Sequence, residues 1–221
     1  MSDDTSYIRK WLRRGLTKDG KTLDISKRGI NNQMAFDLAE NVDLPGLEVL
    51  YMHTNKIKCL GLEELAESDF FAPLRELWLY ENVIRCDGAI ALAGSSKMKN
   101  LRYLSLYSNK IGGDGGEALA NSKALSTLET LDLSFNKLGD QGAVALANSP
   151  HLNKLKTLHL DANGISAEGM QALANSTCLK SLTTLNITYN MLDISGLEIM
   201  QESSRLQNLE HFKTDLLTCD D

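Results

Sequence analysis

Apolar residues along this chain follow two alternating patterns. Runs such as LRELWLYENVI, LRYLSLYSNKI, LETLDLSFNKL, LKTLHLDANGI and LTTLNITYNML place Leu on every second position around one variable residue. That is the period of a strand with one buried face, so Leu77 and Leu79 are expected to point inward and Trp78 outward. Between these runs, stretches such as GDQGAVALANS space Ala and Leu at helical intervals with few β-branched residues, and each reads as a helix that ends at Asn and Ser. The small Gly142 and Ala143 are expected where such a helix approaches the sheet closely.

The alternation has a fixed period. Asn recurs at Asn55, Asn82, Asn109, Asn136, Asn163 and Asn190, always 27 residues apart. Counting from each Asn, Ile or Leu stands two residues on (Ile57 to Leu192), Gly six on (Gly61 to Gly196), Leu or Met ten on (Leu65 to Met200) and Ser thirteen on (Ser68 to Ser203). A period of this size means a stack of similar supersecondary units, each burying its apolar face against its neighbours. The Asn falls where strand turns into helix, inside the stack, and its amide is expected to pair with backbone groups of its own and the neighbouring turn. Strands stack about 4.8 Å apart and helices are about 10 Å across, so the stack must curve, with the strands on its concave side.

The shared template, L-x-x-L-x-L-x-x-N-x-(I/L), resembles that of leucine-rich repeats, and the helical second half with its G-x-x-x-L-A run is similar to the ribonuclease-inhibitor-like subfamily. The resemblance extends from about Leu23 to about Leu217. It implies an α/β fold: a curved solenoid, or horseshoe, with a parallel concave sheet and convex helices. It also implies a range of hosts: enzyme inhibitors, innate immune recognition domains, substrate adaptors and bacterial effectors. A rival from another class is a small-GTPase regulator, since the Ran GTPase-activating protein is similar to this subfamily. That protein carries a long acidic tail, whereas this sequence ends in KTDLLTCDD.

Both ends depart from the repeat, as terminal repeats commonly do. Residues 1–19 read as a capping helix and lead-in, 20–217 as the solenoid with one modified first repeat, six full repeats and one truncated last repeat, and 218–221 as a tail. Stepping back one period from Asn55 gives Arg28, with Leu23, Ile25, Ile30 and Leu38 still in register. In TSYIRKWLRRGL, Thr5 or Ser6 can cap a helix that carries Tyr7, Ile8, Trp11 and Leu12 on one face and Arg9, Lys10, Arg13 and Arg14 on the other. A cap over the first repeat is the favoured reading, and a basic amphipathic membrane or partner helix the alternative. At the far end Leu209 and Phe212 keep the leucine positions, while Thr214 and Leu217 replace the inner Leu and the Asn. Leu216 and Leu217 would leave an edge for a partner, a second copy or further chain to cover, or a frayed terminus.

Composition narrows the setting. The chain has 221 residues, 43% hydrophobic, with net charge −6 and no long apolar span, which suits a single soluble, cytoplasmic, monomeric domain, in a host cytosol if it is a secreted effector. Cys59 and Cys86 lie one period apart, so a disulfide or thiol sensor is conceivable. Later repeats hold Gly113, Asp140, Ala167 and Ile194 in the same slot, and a tolerant position is favoured.

Functional information lies in the variable outward positions. Successive strands present Val49, Tyr51, His53; Glu76, Trp78, Tyr80; Tyr103, Ser105, Tyr107; Thr130, Asp132, Ser134; Thr157, His159, Asp161; and Thr184, Asn186, Thr188. The first half is aromatic and the second polar. Tyr189 is also expected at an outward strand position. A Tyr or Trp buries on the order of 150 to 250 Å², so four or five neighbouring rings exceed what a monomer ordinarily exposes without use. Cross-strand stacking that merely stabilises the sheet is the competing explanation. The expected partner surface is Tyr51, His53, Glu76, Trp78, Tyr80, Tyr103, Tyr107, Asp132, His159 and Asp161. Glu76, Glu81, Asp132, Asp161 and Asp215 form an acidic rim suited to a basic or mixed polar protein.

Catalysis finds little support. A His159–Asp161 or His159–Asp132 contact is geometrically possible, yet no Ser or Cys nucleophile is expected beside a base and an oxyanion site. His53, His159 and His211 sit on strands too far apart to share a metal, and no cofactor is expected. Nucleic acid is disfavoured by the acidic balance, since phosphate binding needs a basic stripe. The sequence therefore points to a non-enzymatic module that binds an unidentified protein on its concave face.

Overall fold

A computed structural model describes residues 5–192, 194–203 and 205–215. After helix α1 (Ser6–Gly15), strand and helix alternate: β1 (Thr22–Asp24), α2 (Asn32–Asn41), β2 (Val49–Tyr51), α3 (Cys59–Glu67), β3 (Glu76–Trp78), α4 (Cys86–Gly94), β4 (Tyr103–Ser105), α5 (Gly112–Ala120), β5 (Thr130–Asp132), α6 (Gly139–Ala147), β6 (Thr157–His159), α7 (Ala167–Ala174), β7 (Thr184–Asn186), α8 (Ile194–Gln201) and β8 (His211–Lys213). Among the described residues the strands form one eight-stranded parallel sheet in sequence order. Each pairing advances by one period, as in Leu77 opposite Leu104 and Leu104 opposite Leu131. The central leucine of β1 to β7 is fully buried. Each such side chain contributes about 1.5 to 3 kcal/mol by leaving water. With strands on one layer and wider helices on the other, the stack is the curved α/β solenoid expected from the repeat.

The Asn ladder carries the turns. Asn136 is wholly buried; its Oδ1 accepts from the backbone N–H groups of Asn109 (3.1 Å) and Ile111 (3.2 Å) in the preceding repeat. Its Nδ2 donates to Leu106 O (2.9 Å), Leu133 O (3.0 Å) and Ser134 O (3.2 Å). Asn163 and Asn190 accept from the same two positions of the repeat before them. Each amide thus joins two repeats, which makes a buried polar row tolerable.

A second ladder lies at the helix C-termini, whose last carbonyls have no partner within the helix. Ser122 Oγ donates to Ala93 O at 2.6 Å, and Ser95, Ser149, Ser176 and Ser203 repeat the contact with Ala66, Ala120, Ala147 and Ala174. The recurrent glycines serve the helix layer rather than an approach of helix to sheet, which corrects the expectation for Gly142. A Cβ on Gly61 would stand 2.9 Å from Asn32 Cα at the start of α2, and one on Gly88 would stand 3.3 Å from Cys59 Cα at the start of α3. Adjacent helices therefore meet backbone to backbone.

The chain turns through the left-handed region at the residue before each ladder position, three residues past the end of each of strands β1 to β7. Lys27, Thr54, Glu81, Ser108, Phe135, Ala162 and Tyr189 all have φ between 51° and 60°, although none is Gly. The ladder of backbone bonds continues to that turn, as in Thr54 N to Tyr80 O at 2.8 Å. Tyr189 accordingly lies in the turn, 72% exposed, and not on a strand as expected.

At the start of the stack, α1 buries Ile8 and Trp11 in the core, and Leu16 bridges to Leu23 of the first repeat. Thr5 holds the N-cap position without a side-chain bond. Tyr7 and Leu12 are half-buried against the same core, and Ser6, Arg9, Lys10, Arg13 and Arg14 are exposed. Phe212 of β8 is half-buried opposite Leu185, and Thr214 is buried. Leu216, Leu217, the tail and Cys219 lie outside the described residues. Cys59, Cys86 and Cys178 are free. Burial, and then Asp114 and Asp87, push the Cys86 thiol above its ordinary pKa, which disfavours the thiolate a sensor needs.

Candidate functional site

Parallel pairing with an advance of one period stacks equivalent positions across the concave sheet, so aromatic residues in four consecutive repeats become neighbours. Tyr51 stands opposite Trp78 with ring centroids 5.5 Å apart. Trp78 stands opposite Ser105, whose small side chain leaves room for the indole to lie on Tyr103, at 4.1 Å and nearly parallel. Two positions further along the strands, His53 stacks on Tyr80 at 4.0 Å with 8° between the planes. Tyr80 meets Tyr107 edge-on at 6.4 Å, and Tyr107 meets Phe135 at 5.1 Å. Two rows of rings, joined by the edge contact of Trp78 with Tyr80 at 6.4 Å, form one continuous surface.

Phe135 belongs to this surface and was not among the residues expected from sequence. It occupies the left-handed turn position, one beyond the outward strand register, and is 45% exposed. An aromatic residue directly before the ladder Asn and one repeat after Tyr107, where the preceding repeats carry Thr, Glu and Ser, is the signal that could have revealed it.

Carboxylates surround the rings. Glu76 lies opposite Tyr103 and accepts the Trp78 indole N–H at 3.4 Å; Glu81 accepts the Thr54 hydroxyl at 2.8 Å. Asp24 lies opposite Tyr51. Asp132 accepts from Ser105 Oγ at 3.2 Å and Ser134 N at 3.0 Å. Burial raises the Tyr103 phenol far above its ordinary pKa, and the charges of Asp132 and Glu76 raise it further. Tyr80 is raised by burial and then by Glu81 and Asp24. Burial lowers the His53 pKa, and Asp24 opposes that shift. At physiological pH Tyr80 and Tyr103 are therefore neutral phenols and the His53 imidazole is biased to its neutral form.

The polar half behaves differently. Asp161 is buried and accepts hydroxyls from Ser134 (2.9 Å) and Thr188, so its carboxylate serves the scaffold. His159 stands opposite Asp132 and is half-buried, yet among the described residues no ion pair or hydrogen bond joins it to Asp132 or Asp161. Asp215 accepts from the backbone N–H of Tyr189 and lies away from the aromatic rows. Among the described residues no group of His, Cys, Asp and Glu is arranged to hold a metal ion, and no helix is long and apolar enough to cross a membrane.

Comparison with known proteins agrees with this architecture. Residues 97–120, 124–147 and 151–174 match the leucine-rich-repeat family, in the register of the 27-residue period. Together they make up less than half of the chain. No curated protein matches the sequence. Among solved structures, an internalin from Listeria monocytogenes matches with a TM-score of 0.52 at 20% identity, over 90% of this chain and 59% of the internalin chain. A TDR receptor (TM-score 0.47, 18% identity, 87% of this chain and 30% of that one) and a TLR13–ssRNA13 complex (0.44, 18%, 92% and 31%) are more distant. The chain thus spans less than two thirds of each of these structures. Repeat, register, sheet and helix layer together make this chain, in its fold, a curved α/β leucine-rich-repeat solenoid.

Proposed function

We propose that the chain is a protein-binding module whose partner seats on the first half of the concave sheet, and that its helical repeats are of the ribonuclease-inhibitor-like type. The observation that carries the binding reading is the continuous surface from Tyr51 to Phe135, seven rings over four neighbouring repeats. Stability alone does not call for these rings. β6 and β7 have Thr157, His159, Thr184 and Asn186 in the same slots and pair just as regularly. Aromatic residues dominate the energy of protein interfaces because they bury a large area at little cost in rotamer entropy. Leucine-rich-repeat domains generally mediate contacts between proteins, which agrees with this reading without naming a partner.

Affinity capture with wild type, Trp78→Ala and Tyr107→Ala tests it. Either substitution is expected to weaken capture by roughly 2 kcal/mol or more, as interface hot spots do. The melting temperature should change little, because a ring contact of this kind contributes about 0.5 to 1.5 kcal/mol. A large loss of stability with capture unchanged would assign the rings to the sheet alone.

A further inference from the structure

We infer that the concave face recognises a cationic segment, an extended stretch of partner chain bearing Lys or Arg; this rests on the protein-binding reading and specifies its chemistry. The rings occur as two stacked pairs, each flanked by two carboxylates. Trp78 on Tyr103 lies between Glu76 and Asp132, whose charges both act on the Tyr103 phenol. His53 on Tyr80 lies between Asp24 and Glu81, whose charges act on both of those side chains. An aromatic face attracts a cation through its quadrupole, and a neighbouring carboxylate supplies the charge-assisted hydrogen bond.

The distribution of basic residues supports this occupant. From β1 to β7 the concave floor consists of the first and last residue of each strand and the residue two beyond it; none of these positions holds Lys or Arg, although the chain has 23 such residues. Lys213 of β8 holds such a position at the far end of the sheet, and the basic residues bordering the aromatic half stand on its rims. On one side Lys21 and Arg75 pair with Glu48, and Arg102 and Lys156 pair with Glu129. On the other, Lys27 and Arg28 stand at the Asp24 and His53 end. The Trp78–Tyr103 pair is therefore the principal cation site, and an anionic segment would meet carboxylates with no floor cation to offset them.

The spacing also favours an extended segment. Trp78 and Tyr80, one from each pair, have centroids 6.4 Å apart. Side chains two residues apart on an extended strand are separated by about 6.8 Å. A Lys/Arg-x-Lys/Arg sequence running along the strands can place one cation over each pair.

The test is a selection of random peptides displayed against the full chain, with Trp78→Leu and the double variant Glu76→Gln/Asp132→Asn as counter-screens. The expected peptides are enriched in two basic residues one position apart. Their binding should weaken about tenfold on Trp78→Leu and a further few-fold on neutralising the carboxylates. It should also weaken as salt shortens the screening length. Circular dichroism melts confirm that both variants remain folded. Peptides that need Trp78 but lack basic residues, or bind the double variant equally well, would overturn the cationic specificity and leave the concave binding surface standing. Peptides indifferent to Trp78→Leu, or no enrichment at all, would overturn both.

Discussion

Replacing Asn136 with Ala probes the ladder at its most enclosed point. The carbonyls it serves keep another donor: Leu106 O retains Asn109 Nδ2 at 3.0 Å, Leu133 O retains Asn163 Nδ2 at 3.0 Å, and Ser134 O retains Ser108 N at 2.9 Å. The N–H groups of Asn109 and Ile111 lose the acceptor that Asn136 Oδ1 provides, at a site that is 0% exposed. A buried donor left unsatisfied costs about 1 to 3 kcal/mol, so two predict a loss of roughly 2 to 6 kcal/mol. Asn190 accepts from the equivalent Asn163 and Ile165 amides at 3.0 Å but is only partly buried. Water can replace it, and Asn190→Ala should cost distinctly less. Urea unfolding followed by far-ultraviolet circular dichroism gives both values from the shift in midpoint at a shared slope. Hydrogen exchange at the Asn109 and Ile111 amides reports the local effect if the stack opens in stages. A loss below about 1 kcal/mol for Asn136→Ala, or losses equal at the two positions, would refute the claim that the ladder's cost lies in its orphaned donors.

Three further outcomes follow from the same contacts. Leu131→Ala, at a fully buried strand centre, should cost about 2 to 5 kcal/mol by chemical unfolding; near neutrality would mean that the strand register is wrong. Gly61→Ala brings a Cβ to 2.9 Å from Asn32 Cα, a backbone atom that cannot rotate aside, so α2 and α3 must separate at a cost of about 1 to 3 kcal/mol in thermal melts. For His53, the folded-state pKa lies below the ordinary 6.5, so the unfolded chain takes up the proton first on acidification. Its contribution to stability is full above about pH 6.5 and is lost as pH falls through the folded value. His53→Gln should flatten that part of the melting-temperature profile, and an unchanged slope would assign it to other groups.

The fold was legible because burial in this chain repeats: Leu77, Leu104 and Leu131 occupy one slot one period apart, and that slot can be satisfied only by stacking. The Asn row was legible for the same reason, since a polar residue held at a buried position must have fixed partners. The left-handed turn was hidden. Its usual sign is Gly, and here Thr54, Glu81, Phe135 and Ala162 adopt it, held by backbone bonds on either side. That is why the strand ends were placed too late and Tyr189 was misassigned. At the candidate site, the rings were visible as outward residues. What the sequence concealed was their contact geometry, because Trp78 reaches Tyr103 diagonally over Ser105 and not the residue in register with it. Asp161 looked like the other outward acids, and only its burial beneath Ser134 and Thr188 distinguishes it.

The Asn contacts also have a direction. Each Oδ1 accepts from the repeat before it, so a repeat's own turn is completed by the Asn of the one that follows. The first repeat can therefore hold Arg28 in the ladder slot, since Asn55 accepts from the Arg28 and Ile30 amides and nothing upstream needs an acceptor there. Trimming whole repeats from the N-terminal side strands no amide of this kind, whereas trimming from the C-terminal side strands one where Asn82 or Asn109 is lost and two where Asn55, Asn136, Asn163 or Asn190 is lost. During synthesis, which proceeds from the N-terminus, each newly emerged unit waits for the next 27 residues before its turn is complete.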